Sequence, residues 1–269
     1  MTATGPGADA PTAPQALLDE AVALARAAGD LTLRWFRTAG LEVETKADAT
    51  PVTAADRAAE RHVREHLAAT HPDDGIIGEE EGTVEGSSAR RWVVDPIDGT
   101  YGFVHGVPLY STLLAVLDDA GPLVGVIHLP ALGETVFAGR GLGCFQLDRH
   151  GTRPARVNDH AALSGAAVMT SGIDHWPAGG IDALHRLGAK VRTWGDGYGY
   201  ALVATGRVEA MVDPEVSVWD LAPLPVIIEE AGGSFTTLDG RRDLWGGSGI
   251  ATNGHLHAAM LEALRPTAT

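Results

Sequence analysis

Three apolar runs follow one another almost without a break: "STLLAVLD" (111–118), "LVGVIHLP" (123–130) and "GETVFAG" (133–139). Each has strand character, and only Gly- and Pro-bearing turns separate them. The chain must therefore fold back on itself there as an antiparallel meander. Two earlier segments, "GIIGEE" (75–80) and "RWVVD" (91–95), read as strands that end in acid. Residues 15 to about 37 place Leu17, Leu18, Ala21, Val22, Leu24, Ala25, Ala28 and Leu31 on one helical face. Residues 53 to about 69 read as a second helix, with Thr53 able to cap it and Asp56 suited to its first turn.

After about Asn158 the texture changes. Strands at 165–171, 190–194, 208–213, 233–239 and 249–252 alternate with helices. The helices fall near 180–188, through "YGYALVATG", from about 218 to 231, and over "HLHAAMLEAL". Alternation of this kind implies sheets covered by helices, an α/β architecture. The expected organisation is a disordered leader over 1–14, rich in Pro, Gly, Thr and Ala, an N-terminal α+β half over 15–157, and a C-terminal α/β half over 158–269 that completes the site. A length of 269 residues with 45% hydrophobic and 20% charged residues suits a globular protein with a sizeable core.

The net charge of −15 argues against a nucleic acid or an anionic membrane as partner, since both need clustered Lys and Arg. An anionic small substrate needs a cation as mediator, and a metal ion is the natural one. Cys144 is the only cysteine, which rules out an internal disulfide and fits a reducing cytoplasm. The first residues have neither the basic start nor the apolar run of a signal peptide, and no stretch reaches the ~20 apolar residues of a membrane helix. The expected location is cytoplasmic.

Four places set carboxylates beside turn residues at the end of an apolar segment. They are Glu79 and Glu80 in "IIGEEEG", Asp95 and Asp98 in "DPIDGT", Asp56 in "TPVTAAD" and Asp220 in "SVWDLAP". Most of these alone read as a turn, cap or solvated-loop residue; "DPIDGT" differs, since a proline between two acids straight after a buried strand is poor turn economy and reads as functional even in isolation. Together they repel, and half-desolvated carboxylates at strand ends demand a counter-ion. Mg²⁺ takes an octahedral shell of carboxylates, carbonyls and waters. Asp95 and Asp98, held by stiff Pro96, suit two bridged ions, with the Ile97 carbonyl as a further ligand. Gly99 permits close backbone approach, and the Gly99 and Thr100 amides suit a phosphate oxygen. The Thr100 hydroxyl suits an attacking water. This is the outline of metal-assisted phosphate-ester hydrolysis.

Other features carry less. His62 and His66 sit four apart on a helix rich in Arg and Glu, a solvated face. His255 and His257 are two apart on a helix and point away from each other. His105 follows the metal loop and is a candidate for substrate contact. Cys144 lacks a nearby base. "GRGLGCF" precedes no helix, which excludes a dinucleotide fingerprint. Trp92, Trp194 and Trp219 border site segments and are expected to pack beneath them.

In order along the chain, Lys46-Ala-Asp48, "PVTAAD", "GEE", "DPIDGT", "WD" and "EAGG" resemble the markers of the inositol monophosphatase superfamily of Mg²⁺-dependent phosphatases. The resemblance covers nearly the whole chain after the leader. It implies a layered αβαβα sandwich, as in inositol monophosphatase and fructose bisphosphatase. It implies that Glu79, Asp95 and the Ile97 carbonyl hold a first metal, that Asp95, Asp98 and Asp220 hold a second, and that a weaker third lies near Glu79. Glu79 and Thr100 would activate the water, with Asp56 in support. Gly99 and Thr100 would bind phosphate, and Lys46 would lie on a mobile loop near the entrance. Family members are commonly dimers, so a homodimer is expected.

Within the superfamily the C-terminal half is most similar to the histidinol-phosphatase branch. The markers are Gly195-Asp196 with Tyr198-Gly199-Tyr200, "MVDP" before the "WD" acid, and "SGIATNGHLH". An acid at Asp196 suits a substrate with a primary ammonium group, and Asp213 offers a second acceptor. Asp196 also suits the N-cap of the helix that follows. Where that branch carries a basic residue after "DPIDGT", this chain has Tyr101-Gly102-Phe103. The expected substrate is L-histidinol phosphate. The alternatives are another small sugar, nucleoside or amino-alcohol phosphate, or a catalytically silent relative with a broken ligand set.

Overall fold

A computed structural model describes residues 10–46 and 50–265. The first half runs α1 (Gln15–Thr32), β1 (Val43–Thr45), β2 (Pro51–Thr53), α2 (Ala54–Thr70), β3 (Gly75–Gly78), β4 (Gly82–Val84), β5 (Arg91–Asp98) and α3 (Thr100–Val104). The meander follows as β6 (Ser111–Asp118), β7 (Gly121–Leu129), β8 (Glu134–Gly139), β9 (Gly143–Asp148) and β10 (Gly151–Pro154). The second half runs β11 (Ala167–Met169), α4 (Gly180–Arg186), β12 (Lys190–Arg192), α5 (Asp196–Ala204), β13 (Ala210–Asp213), α6 (Val218–Leu221), α7 (Leu224–Glu230), β14 (Ser234–Thr236), β15 (Gly249–Thr252) and α8 (His257–Ala263).

Among the described residues the strands form a β1–β2 hairpin and two larger sheets. One has eight strands in the order β10-β9-β8-β7-β6-β5-β3-β4, and the other five in the order β12-β11-β13-β15-β14. In the larger sheet only β3 and β5 are parallel; the anticipated meander is its antiparallel body. In the smaller, β11 runs parallel to β12 and β13, while β15 is antiparallel to its neighbours.

Strand alternation sorts β5 and β6 between two cores. Trp92, Val94, Leu114 and Val116 face α1 and α2, with Leu18, Ala21, Val63 and Leu67. Val93, Leu113 and Ala115 face the other way, onto α5 and α7 and thence the second sheet, with Tyr200, Leu224, Ile227 and Met211. A third core lies beyond, where Leu184 of α4 and Met260 of α8 cover Val168, Val212 and Ile250. The layers are thus α1/α2, large sheet, α5/α7, small sheet, α4/α8: the αβαβα sandwich. Side chains such as Leu114 and Ile227, fully buried, stabilise it by about 1.5–3 kcal/mol each. The central core draws on residues from both 15–157 and 158–269.

Several local expectations are corrected. The first helix ends at Thr32, not near Arg37; turns follow, and Arg37 itself has φ +59°. The helix expected over 218–231 is two pieces, because Pro223 between them has no N–H to donate. Residues 10–14, assigned to the leader, are ordered: Ala13 is buried and its amide donates to the Arg140 carbonyl at the end of β8. The rest of the leader, 1–9, lies outside the described residues. The hairpin β1–β2 and strands β4, β9 and β10 are additional to the expected elements. His255 precedes α8, and His257 packs inward between the Thr236 and Thr252 hydroxyls. No described helix is long and apolar enough to cross a membrane.

Candidate active site

The site begins with a defect in the β5–β6 ladder. Asp95 pairs with Leu113, yet Asp98 pairs with Ser111, so three steps on β5 match two on β6. This is a β-bulge, and Pro96, which cannot donate to a ladder, lies within it. In a regular strand, residues three apart face opposite sides. The surplus residue brings Asp95 and Asp98 onto one face, that of Leu113 and Ser111. The Pro96 carbonyl, displaced by the bulge, accepts from Thr112 Oγ1 at 2.8 Å.

Asp220 reaches them from the first turn of α6, where its carboxylate accepts from the Ser217 amide at 2.8 Å. Asp95, Asp98 and Asp220 each offer an oxygen within 4.8 Å of the others. Burial, then the charges of Glu79, Asp220 and Asp98, hold the Asp95 carboxyl well above the usual carboxylate range. Burial, then Asp196 and Asp220, do the same to Asp98. Asp220 is pushed up to about 6, chiefly by burial. Hard oxygen donors this close, this desolvated and without a basic side chain among them fit a divalent cation.

Asp98 Oδ2 accepts from Ser111 Oγ at 2.6 Å and from the Gly197 amide at 2.5 Å. A Cβ at Gly197 would lie 2.2 Å from Ser111 Oγ, so only glycine lets α5 approach. Asp196 heads that helix at φ +52°. It is not the N-cap: Gly195 takes that place, with no side-chain cap. The Asp196 carboxylate turns to Gly99, where an added Cβ would come within 2.7 Å of it. Burial, then the charge of Asp213, push Asp196 up to about 7. Asp213 is buried, and its oxygens accept from the Ser171 amide and the Tyr200 hydroxyl, each at 3.0 Å.

On the other side, Asp56 completes the anticipated capping box, accepting from Thr53 N and Oγ1 at 2.8 and 2.7 Å. Its second oxygen lies 3.5 Å from Thr100 Oγ1, which donates to the Ile97 carbonyl at 2.8 Å. Gly99, at φ +83°, turns the chain from β5 into α3. Lys46 closes β1 and puts Nζ 2.7 Å from Glu79 and 2.6 Å from Glu80. Burial works against its charge, but the two glutamates leave it above the ordinary lysine value. Glu80 is pushed up to about 7, by burial first. Asp48 lies outside the described residues.

These elements enclose a cleft of about 310 Å³. Glu79, Asp95, Ile97, Asp98, Gly99, Thr100, Asp196, Asp213 and Asp220 all line it, and Thr50, Tyr101, Ser171 and Trp219 share its wall. Asp56 stands behind Thr100, and Lys46 behind Glu79. Two tryptophan expectations fail. Trp92 faces the α1/α2 core, donating to Asp74 at 2.9 Å, and Trp194 is half exposed.

Glu60 escaped the sequence reading. Fully buried, one turn after Asp56 on α2, it accepts from the Glu80 and Glu81 amides at 2.8 and 3.0 Å and from Arg64 at 2.8 Å. It thereby fixes the turn that carries Glu79. A Cβ at Gly78 would fall 2.1 Å from Glu60 Oε1, which explains the glycine in "IIGEE". The signal lay in the four-residue spacing of Asp56 and Glu60, which shares one helix face.

Five alternating layers with a carboxylate-lined cleft between the two sheets define a class of phosphate-ester hydrolases, and the comparisons agree. The inositol monophosphatase family model matches residues 13–268. A histidinol-phosphatase of Mycobacterium tuberculosis is 44% identical over 91% of this chain and 96% of its own length. One from Streptomyces coelicolor is 42% identical over 88% and 92%. The solved IMPase of Thermotoga maritima superposes with a TM-score of 0.84 at 31% identity, covering 93% of this chain and 97% of that one. The chain belongs to the inositol monophosphatase family, and it is a phosphatase acting on phosphate monoesters.

Proposed function

We propose that the enzyme hydrolyses L-histidinol phosphate to L-histidinol and phosphate, with Mg²⁺ as cofactor. The observation that carries the substrate is Asp196. Its carboxylate stands against Gly99, at the place assigned to the phosphate, and has no cation of its own in the described cleft. A substrate that brings phosphate and a primary ammonium a few atoms apart fills both needs. The similarity to two histidinol-phosphatases above 40% identity supports the same choice.

Asp95, Asp98 and Asp220 would hold one ion, and Glu79, Asp95 and the Ile97 carbonyl another; a third is assigned near Glu79. When bound, the ions lower the pKa of the attacking water and neutralise the phosphoryl oxygens. The chain's own groups do the rest. The Gly99 and Thr100 amides orient the phosphate. Thr100 Oγ1 positions the water and passes its proton toward Asp56 Oδ1, which the capping box holds in place. Asp196 fixes the ammonium, and Asp213, already committed to Ser171 and Tyr200, holds the Asp196 turn from below. Lys46 offsets one of the two negative charges of the Glu79–Glu80 turn. A homodimer is part of this reading.

Phosphate release with Mg²⁺ across histidinol phosphate, inositol 1-phosphate, fructose 1,6-bisphosphate and nucleoside monophosphates is the test. Histidinol phosphate should give the highest kcat/KM. A higher value for an amine-free ester would remove it as substrate.

A further inference from the structure

The cleft wall carries an aromatic group, Tyr101, that hydrolysis does not use. Tyr101 directly follows Thr100, lines the cleft, and is 72% exposed, more than any other exposed large hydrophobic residue among those described. The ring is nevertheless anchored. His105 stacks on it with centroids 4.3 Å apart and planes tilted by 34°. His105 Nδ1 lies 2.7 Å from the Tyr101 carbonyl, which can only accept, so that nitrogen carries the hydrogen and locks the imidazole in place. One face of Tyr101 is therefore occupied, and the ring is presented on the cleft wall rather than left to swing.

We propose that Tyr101 is the specificity platform for the planar heterocycle of the substrate's alcohol half. This rests on the histidinol phosphate reading above. A phosphate on the Thr100 amide places the rest of the ester within reach of the next side chain, since adjacent Cα atoms are 3.8 Å apart. Asp196 in the same cleft suits an ammonium, while Asp213 is held by Ser171 and Tyr200 and Glu215 by His175; none of the three offers a face on which a ring can stack. Tyr101 offers a π-face that stacks an uncharged imidazole and attracts a protonated one. The His105 contact shows, within this molecule, the geometry an imidazole adopts on that ring. Because the stack forms in the bound substrate and persists in the transition state, it lowers KM and leaves kcat alone.

The experiment compares histidinol phosphate with 2-aminopropyl phosphate, which keeps the amine and the phosphate but lacks the ring. In wild-type enzyme the ratio of the two kcat/KM values measures ring recognition. Tyr101→Ala should lower that ratio about five- to tenfold through the KM for histidinol phosphate. Tyr101→Phe, which keeps the stacking face, should preserve it. A ratio that survives in Tyr101→Ala, or falls equally in both variants, would overturn the assignment while leaving the substrate intact. A wild-type enzyme that prefers glycerol phosphate to histidinol phosphate would overturn both readings.

Discussion

Asp95 is 2% exposed, and its nearest charged neighbours are carboxylates. Such a residue makes sense only with a cation beside it, so its removal separates catalysis from stability. Asp95→Asn should lower phosphate release by at least about 10³-fold, because it deletes a ligand shared between the proposed ions. The metal-free variant should melt no lower than metal-free wild type, since the substitution relieves repulsion in a buried site. Near-normal turnover would remove the proposed mechanism. Asp196 makes a finer distinction. Asp196→Asn should weaken catalysis on histidinol phosphate by about 1.5–3 kcal/mol, the scale of a charged hydrogen bond. It should barely touch glycerol phosphate, and equal losses on both esters would end the ammonium argument.

At the scale of elements, the site is an assembly of strand ends and helix starts, each held by a second residue that never meets substrate. Glu60 on α2 shows this most clearly. Glu60→Gln keeps the shape but weakens two amide contacts and the Arg64 pair, so the turn bearing Glu79 loosens. The Mg²⁺ concentration for half-maximal rate should rise about 10–100-fold, with kcat at saturating Mg²⁺ little changed. An unaltered Mg²⁺ requirement would show that the turn is fixed by other means. What the sequence reveals at this scale follows from what is local. The Thr53–Asp56 capping box and the acids after β3 and β5 are legible because caps and buried strand ends have short-range signatures. The bulge is not, because register belongs to two strands at once. Nor is the α6/α7 break, where apolar spacing runs straight through Pro223. Strand β9 alternates buried with half-buried positions but is short and directly follows a glycine-rich turn, and β10 is exposed throughout. Trp194 departs from expectation because an aromatic beside a site segment reads as buried, whereas the fold turns it half out to solvent.

For the whole molecule, the cleft joins the two sheets: Asp95 and Asp98 come from one, while Asp213 ends a strand of the other and Asp196 and Asp220 hang from helices between them. Their protonation is therefore a property of the assembled fold. Unfolded, these carboxylates ionise near ~4. Folded, Asp220 stands at about 6, Asp196 at about 7, and Asp95 and Asp98 well above the usual range. The native state thus binds more protons than the unfolded one across this window. The contribution of these groups to stability is greatest at its acid end and is lost as pH rises through the folded values. A divalent ion at the proposed site would replace the missing protons. Adding Mg²⁺ to chelator-treated protein should raise Tm little at about pH 5 and by several degrees at about pH 7.5. A shift equal at both values, or larger in acid, would contradict the proposed cation site.

The irregularity at Pro96 has a sharper corollary. Parity decides where Asp98 goes: were the three steps from Asp95 laid down as regular strand, the same carboxylate would emerge on the reverse of the sheet, among Trp92, Val94 and the greasy flank of the first two helices. Loss of the bulge alone would thus exchange a competent centre for a charge stranded in oil, though every acidic letter of the motif were still in the gene.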